Sequence, residues 1–190
     1  MSECGQDTRI RGLLPPADRQ RTAVDVGAND GIVYSNTLEL ERGGWDVISV
    51  EANPLLAPDL WKNRRRPLCC AVGPADLEQA PFTYIGGGTG ASWSALEPRT
   101  NITGQILTVP VRTLNWILAA SGWDRLDLLS IDIEGGEMAA LAALDFEKWA
   151  PALIVVENWG KDEAFKPLLA PHGYTLVDRI LDDEFWLREG

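Results

Sequence analysis

Carboxylates recur at the ends of the predicted β-strands of this sequence. Asp25 lies in VDVGANDG, Glu51 ends VISVE, Asp132 and Glu134 lie in SIDIEGGE, and Glu157 ends IVVE. In open parallel sheets, ligands bind at the carboxyl ends of the strands. These five acids therefore mark one edge of the predicted sheet as the candidate site.

The loop from Gly27 to Gly31 has the spacing G-x-N-x-G. Its glycines let the backbone approach a nucleotide-like ligand, and the helix expected after it offers free amides. The loop departs from G-x-G-x-x-G, and Asp30 would repel a pyrophosphate. A cationic ligand with a carboxylate tail fits better, with Asp25 binding its ammonium group and the loop amides binding its carboxylate. S-adenosylmethionine has that charge pattern.

Glu51 follows Gly31 by twenty residues, at the predicted tip of the second strand. From that position a carboxylate accepts hydrogen bonds from both hydroxyls of a ribose. The glycine loop alone is also compatible with a simple turn, and the pair of features favours a nucleoside-containing cofactor. A nicotinamide-dependent oxidoreductase and a non-catalytic cofactor-binding module are the alternatives from other classes.

Asp132 is the first candidate for a catalytic base, with Glu134 beside it. Ser130, Asp132 and Glu134 alternate along the predicted strand and are expected to point the same way. A carboxylate at a buried strand tip needs a partner, and an acceptor hydroxyl whose proton it removes as a general base would serve as one. The alternative is that Asp132 caps the next helix or pairs with a lysine.

Glu157 and Asn158 end the neighbouring predicted strand. Together with Asp132 they offer three oxygen ligands at two strand tips, which suits a hard cation such as Mg²⁺. The sequence therefore predicts either a magnesium site or a metal-free acidic pocket at this edge.

The elements that position these residues alternate between strand and helix. The hydrophobic pattern predicts an α/β fold of three layers with a mostly parallel sheet. PFTYIG and QILTVPVRT form an inserted hairpin around a glycine-rich loop that is expected to act as a lid, and an antiparallel hairpin closes one edge. Residues 1–20 are interpreted as an N-terminal extension and 21–190 as one domain. Strands are predicted at 22–27, 45–51, 67–73, 126–134 and 152–158, and helices at 33–42, 55–63, 114–120, 137–144 and 161–169.

The formal net charge of −11 argues against a nucleic-acid partner. The run Arg64 to Arg66 is interpreted as a solvated helix end. The first twenty residues contain no apolar run, so neither a signal peptide nor a membrane span is predicted and a cytoplasmic location is expected. The oligomeric state stays open, with a homodimer as one alternative.

Several motifs together resemble the FkbM family of S-adenosylmethionine-dependent methyltransferases: D-V-G-A-N, E-x-N-P, AVG, VRTL, D-x-E-G-x-E and IVVEN, over residues 22 to about 176. The resemblance implies a Rossmann-like class I methyltransferase fold and methyl transfer to a hydroxyl of a sugar, polyketide or similar small metabolite. An N-methyltransferase acting on a small molecule or peptide is the alternative. Ala71 and Val72 would lie against the adenine ring. The implied cofactor contacts are Asp25, Gly27, Ala28, Asn29, Gly31, Ser35, Glu51, Ala52, Asn53, Ala71 and Val72.

Overall fold

The structure is a computed structural model and describes residues 2, 4–84, 104–160 and 163–189. Among these residues, no helix has the length and apolar composition needed to cross a membrane. The described elements alternate for most of the chain. In order they are α1 (Gln6–Leu13), β1 (Thr22–Val26), α2 (Leu38–Arg42), β2 (Asp46–Glu51), α3 (Ala57–Asn63), β3 (Arg66–Cys69), β4 (Ala71–Val72), β5 (Leu77–Tyr84), β6 (Gln105–Arg112), α4 (Leu114–Ser121), β7 (Leu128–Ile131), α5 (Glu137–Ala142), α6 (Phe146–Trp149), β8 (Leu153–Glu157), α7 (Lys166–Leu169), β9 (Tyr174–Ile180) and β10 (Asp183–Arg188).

The main sheet has the strand order β3-β2-β1-β7-β8-β10-β9. Its first five strands run parallel, and β10 pairs antiparallel with both β8 and β9. A second sheet has the order β4-β6-β5, in which β5 and β6 pair antiparallel. The mostly parallel α/β architecture, the closing hairpin and the inserted hairpin are therefore confirmed. The predicted lid between β5 and β6 lies outside the described residues.

Two apolar layers cover the faces of the main sheet. Val24 and Val26 of β1 face one layer, while Ala23 faces the other. All five residues of β1 are buried, as expected for a central parallel strand with both faces covered. Because the strand cannot shift its register without exposing one set of side chains, the position of its carboxyl end is fixed.

The segment predicted as an N-terminal extension contains α1, which the sequence pattern did not indicate. Ile10 of α1 is fully buried and packs with Leu40 and Phe185 in the second apolar layer. Burying one isoleucine side chain contributes about 1.5–3 kcal/mol. The helix is therefore part of the described core.

Of the helix predicted over 33–42, only α2 is helical. Tyr34 has a left-handed φ of 57°, which does not fit a right-handed helix. The Ser35 hydroxyl accepts from the amide of Leu38 at 3.0 Å and supports the start of the helix there. The strand predicted over 67–73 is divided into β3 and β4, which belong to different sheets.

Three further elements are shorter than predicted. β7 ends at Ile131, before Asp132. The helix predicted over 137–144 ends at Ala142. Of the helix predicted over 161–169, only α7 is described as helical, and Lys161 and Asp162 lie outside the described residues.

Candidate cofactor and acceptor site

Gly27 lies where the carboxyl ends of β1, β2 and β7 meet. Its amide and that of Ala28 donate to Val50 O at 2.9 and 3.0 Å. Gly27 has a φ of +87°, and a Cβ there would lie 1.7 Å from Asp132 O. The glycine is thus required by the protein's own packing, which brings the loop after β1 against the backbone of Asp132.

Glu51 is fixed at the tip of β2 by two backbone amides. Its Oε2 accepts from Asn29 N at 2.9 Å, and its Oε1 accepts from Asn53 N at 2.7 Å. Burial raises the pKa of Glu51 to about 7, and the amides of Asn53 and Asn29 oppose this rise. Each carboxylate oxygen can accept more than one hydrogen bond, so the carboxylate retains acceptor capacity for hydroxyl groups.

The amides of the loop after β1 make hydrogen bonds within the protein. Asp30 Oδ1 accepts from the amides of Ile32 and Val33, each at 2.8 Å. Asn29 Oδ1 accepts from Asp30 N at 2.8 Å, and Gly31 N donates to Ala28 O at 2.8 Å. Asp30, read from the sequence as a group that repels phosphate, in fact orders the loop by capping its amides. The binding of a ligand carboxylate by amides of this loop stays a prediction.

Asp25 is likewise engaged inside the protein. Its Oδ2 accepts from Thr37 Oγ1 at 2.5 Å, from Ser35 Oγ at 3.3 Å and from Arg64 Nη1 at 3.3 Å. The Arg64 side chain is 0% exposed, so its interpretation as part of a solvated helix end was wrong. Arg64 pairs with both Asp25 and Glu41, and the pairing of Asp25 with a ligand ammonium stays a prediction.

The remaining predicted cofactor residues are divided between the two sheets. Asn53 is 1% exposed, and its Nδ2 has no hydrogen-bond partner among the described residues. Ala52 packs against the second sheet. Ala71 and Val72 were expected at the tip of the third strand, but they form β4 in the second sheet and are 3% exposed. The residue of β3 opposite Glu51 is Cys69.

Asp132, Glu134 and Glu157 form an acidic cluster at the same edge. Each contributes one carboxylate oxygen to a group in which all oxygens lie within 4.8 Å of one another. The cause is a turn and not the strand alternation predicted from the sequence, since Asp132 and Glu134 follow the end of β7 and Glu134 has a φ of 61°. Glu137 Oε1 accepts from the amides of Ile133 and Gly135 at 2.9 and 3.0 Å, which holds the turn closed.

Asp132 and Glu157, the two carboxylates at the centre of the cluster, are both desolvated and lie among other acidic groups. Part of the Asp132 side chain is exposed to solvent. The protein around the rest of the side chain desolvates its carboxylate. Desolvation, then repulsion from Asp183 and Glu134, raises the pKa of Asp132, and a hydrogen bond with Glu157 opposes the rise. Desolvation and repulsion from Asp132 raise the pKa of Glu157 further. The pair therefore retains a proton at a pH where separate carboxyl groups have lost theirs.

Asn158 makes its described contacts with the C-terminal hairpin. Its amide nitrogen Nδ2 donates to Glu184 Oε1 at 2.9 Å, and its backbone N donates to Asp182 O at 2.7 Å. Trp186 Nε1 donates to the other oxygen of the buried Glu184 at 2.9 Å. The third carboxylate beside Asp132 and Glu157 is Glu134, so Asn158 as a metal ligand stays a prediction.

Sequence reasoning missed the roles of Arg64 and Glu137. A buried Asp25 in the middle of a core strand signals that a cation must lie nearby. Nothing in the spacing identifies which arginine supplies it. Glu137 stands at the start of a helix, where a carboxylate commonly binds free amides, and this signal was available.

The mostly parallel sheet places the glycine loop, the carboxylate at the tip of β2 and the acidic cluster at one edge, where ligands of open α/β sheets bind. Residues 25–182 match the family model described as the methyltransferase FkbM domain. The chain belongs to this family. The family identified from the sequence is confirmed.

Solved structures show the same fold at low sequence identity. The methyltransferase FkbM from Methylobacillus flagellatus KT is 16% identical, with a TM-score of 0.58 over 93% of this chain and 45% of that one. The METTL16 methyltransferase domain is 13% identical, with a TM-score of 0.52 over 97% and 66%. A human methyltransferase 10 domain containing protein is 13% identical, with a TM-score of 0.50 over 95% and 78%. No curated protein sequence matches the chain significantly. The chain thus spans less than half the length of the Methylobacillus protein.

Proposed function

We propose that the protein methylates a hydroxyl oxygen of a small molecule, with Asp132 as the general base. The observation that carries the proposal is the position of the Asp132–Glu157 pair. Asp132 directly follows β7, Glu157 is the last residue of the neighbouring β8, and the Asp132 backbone lies against Gly27 of the loop after β1. A base is useful only where the acceptor and the cofactor meet, and the pair lies at that edge.

The cofactor side of the site fits S-adenosylmethionine. Glu51 supplies a fixed carboxylate for ribose hydroxyls, and the buried Asn53 has a donor without a partner. Asn29 orients Glu51, and Gly27 brings the backbone of β1 close to Asp132. When bound, the cofactor supplies an electrophilic methyl group on a sulfonium. Ala28, Gly31, Ser35, Ala52, Ala71 and Val72 remain proposed members of this half of the site.

On the acceptor side, the Asp132–Glu157 pair binds the acceptor and removes the proton of its hydroxyl group. Glu157 keeps the shared proton and hydrogen-bonds to Asp132, which favours the ionised form of Asp132. Asp132 then accepts the proton of the acceptor hydroxyl, and the hydroxyl oxygen becomes the nucleophile for the methyl group. Glu134, within 4.8 Å of both, adds negative charge that strengthens Asp132 as a base.

The small-molecule and oxygen assignments are tested by a panel of paired acceptors. Sugars, amino sugars, phenols and anilines with matched skeletons are incubated with the protein and methyl-labelled S-adenosylmethionine. We expect label in the methyl group of the ethers that form from the hydroxyl compounds. Label confined to amines would contradict the oxygen assignment and favour the N-methyltransferase alternative, since an acidic cluster also attracts ammonium groups.

A divalent cation is the alternative occupant of the acidic cluster. Glu157 Oε2 is buried and receives no hydrogen bond from the described residues, and three clustered carboxylates suit Mg²⁺. Such a cation would polarise the acceptor oxygen. Because a proton shared by Asp132 and Glu157 already reduces the repulsion, we expect activity to survive exhaustive chelation with EDTA. A loss of activity that Mg²⁺ restores, and that an inert salt at equal ionic strength does not, would favour the metal site.

A further inference from the structure

The Arg64 side chain was predicted from the sequence to be exposed to solvent. It is buried instead and contacts three separate segments of the chain. Its Nε donates to Glu41 Oε2 of α2 at 3.1 Å, and its Nη1 donates to Asp25 Oδ2 of β1 at 3.3 Å. Its Nη2 donates to Thr37 Oγ1 at 2.7 Å. The planar guanidinium thus bridges two carboxylates and a hydroxyl, an arrangement that a lysine ammonium cannot reproduce in full.

Arg64 also touches the loop that follows β1. Its Nη1 lies 3.2 Å from Ser35 Oγ and 3.5 Å from Gly31 O. A Cβ on Gly31 would lie 2.6 Å from Arg64 Cγ. The preceding residue, Asn63, donates from Nδ2 to Asp30 O at 2.8 Å. The C-terminal end of α3 therefore holds the loop at two successive carbonyls and at one hydroxyl.

The charges around Arg64 require it. Asp25 is 5% exposed and Glu41 is 3% exposed, and both carboxylates would be buried without a counter-ion if Arg64 were removed. A buried charge that loses its partner is strongly unfavourable. Asp25 also repels Glu51 and contributes to the raised pKa of that residue. By balancing Asp25, the guanidinium limits this repulsion at the carboxylate proposed for the ribose.

We propose that Arg64 is a positioning residue for the cofactor, which holds residues 31–37 in the conformation that S-adenosylmethionine binds. Because the loop is ordered before binding, the cofactor does not bear the entropy cost of ordering it. Arg64 then acts on cofactor affinity and not on the chemical step. The inference rests on the assignment of this loop to the cofactor.

The test compares Arg64→Met, Arg64→Lys and Thr37→Val with the wild type. Binding of S-adenosylhomocysteine is measured by calorimetry below the lowest melting temperature, and kcat and KM are measured with S-adenosylmethionine. We expect the Kd and KM to rise by about tenfold or more in Arg64→Met, and less in Arg64→Lys, which keeps the charge. Thr37→Val leaves the buried charges paired and should raise both constants by roughly threefold or more. In every variant, kcat at saturating cofactor should stay within about threefold of wild type.

Arg66 provides the matched control. It is half-buried and pairs with Asp46 at 2.7 Å, away from the loop. Arg66→Met should lower stability without changing the Kd for S-adenosylhomocysteine. If the wild type does not bind S-adenosylhomocysteine, the cofactor assignment itself fails. If the wild type binds it, and folded Arg64→Lys and Thr37→Val bind equally well, Arg64 is only structural and the inference is wrong. Should Arg64→Met not fold, the other two variants decide the question.

Discussion

Asp132→Asn is expected to lower kcat by about 10²–10⁴-fold, the usual contribution of a positioned general base. The asparagine has nearly the same shape and cannot accept the hydroxyl proton. Because the contact with Gly27 is made by the Asp132 backbone, the Kd for S-adenosylhomocysteine should change by less than about threefold. Turnover and calorimetry measure the two effects separately.

The pH dependence of kcat provides a second readout of the same change. The pKa of Asp132 is raised into the neutral range, so its ionised form is lost as the pH falls through that range. Wild-type kcat should therefore fall as the pH is lowered through neutrality, and not near pH 4, the ordinary range of an aspartate. In Asp132→Asn, the residual kcat should not fall as the pH is lowered through neutrality.

Asp124→Asn is the matched control for Asp132→Asn, because Asp124 has a side chain that is 86% exposed. It should keep the wild-type kcat and pH profile. Unchanged turnover in Asp132→Asn, or a wild-type profile that is flat through neutrality, would contradict the assignment of Asp132 as the base.

Gly27→Ala should lower the free energy of unfolding by about 3 kcal/mol or more. The new Cβ would meet Asp132 O at 1.7 Å, and the carbonyl has little freedom because Asp132 N donates to Val26 O at 2.9 Å. A φ of +87° adds the strain of a left-handed alanine, about 1–3 kcal/mol. The overlap costs a similar amount. Urea denaturation measures the loss.

Gly12→Ala gives the comparison for Gly27→Ala. A Cβ at Gly12 meets nothing within 4 Å, and the residue lies inside α1. Alanine there should stabilise the protein by about 0.5–1 kcal/mol. The close packing of Gly27 against Asp132 is not required if Gly27→Ala has the wild-type urea midpoint of unfolding and binds S-adenosylhomocysteine with the wild-type Kd.

The sequence by itself determined the alternation of strands and helices that follows β1 and the edge of the sheet that carries these carboxylates. β1 is buried along its whole length and β8 along all but its last residue, because both faces of a central parallel strand are covered. Short crossovers then place Glu51, Asp132 and Glu157 at one edge. Local patterns encode these features, since strand period and connection length involve residues that are close in the chain.

Only the tertiary structure decided what each polar group at that edge contacts. The partner of Asp25 is Arg64, which is thirty-nine residues away, and no local pattern distinguishes this arginine from its two neighbours. The left-handed turn at Glu134, and not strand alternation, brings Glu134 to Asp132. Buried charges and amides select partners by proximity in the folded chain, where the cost of leaving one unpaired is large. The amides of the loop after β1 likewise find partners in Ala28, Asn29 and Asp30, which hold the shape of the loop.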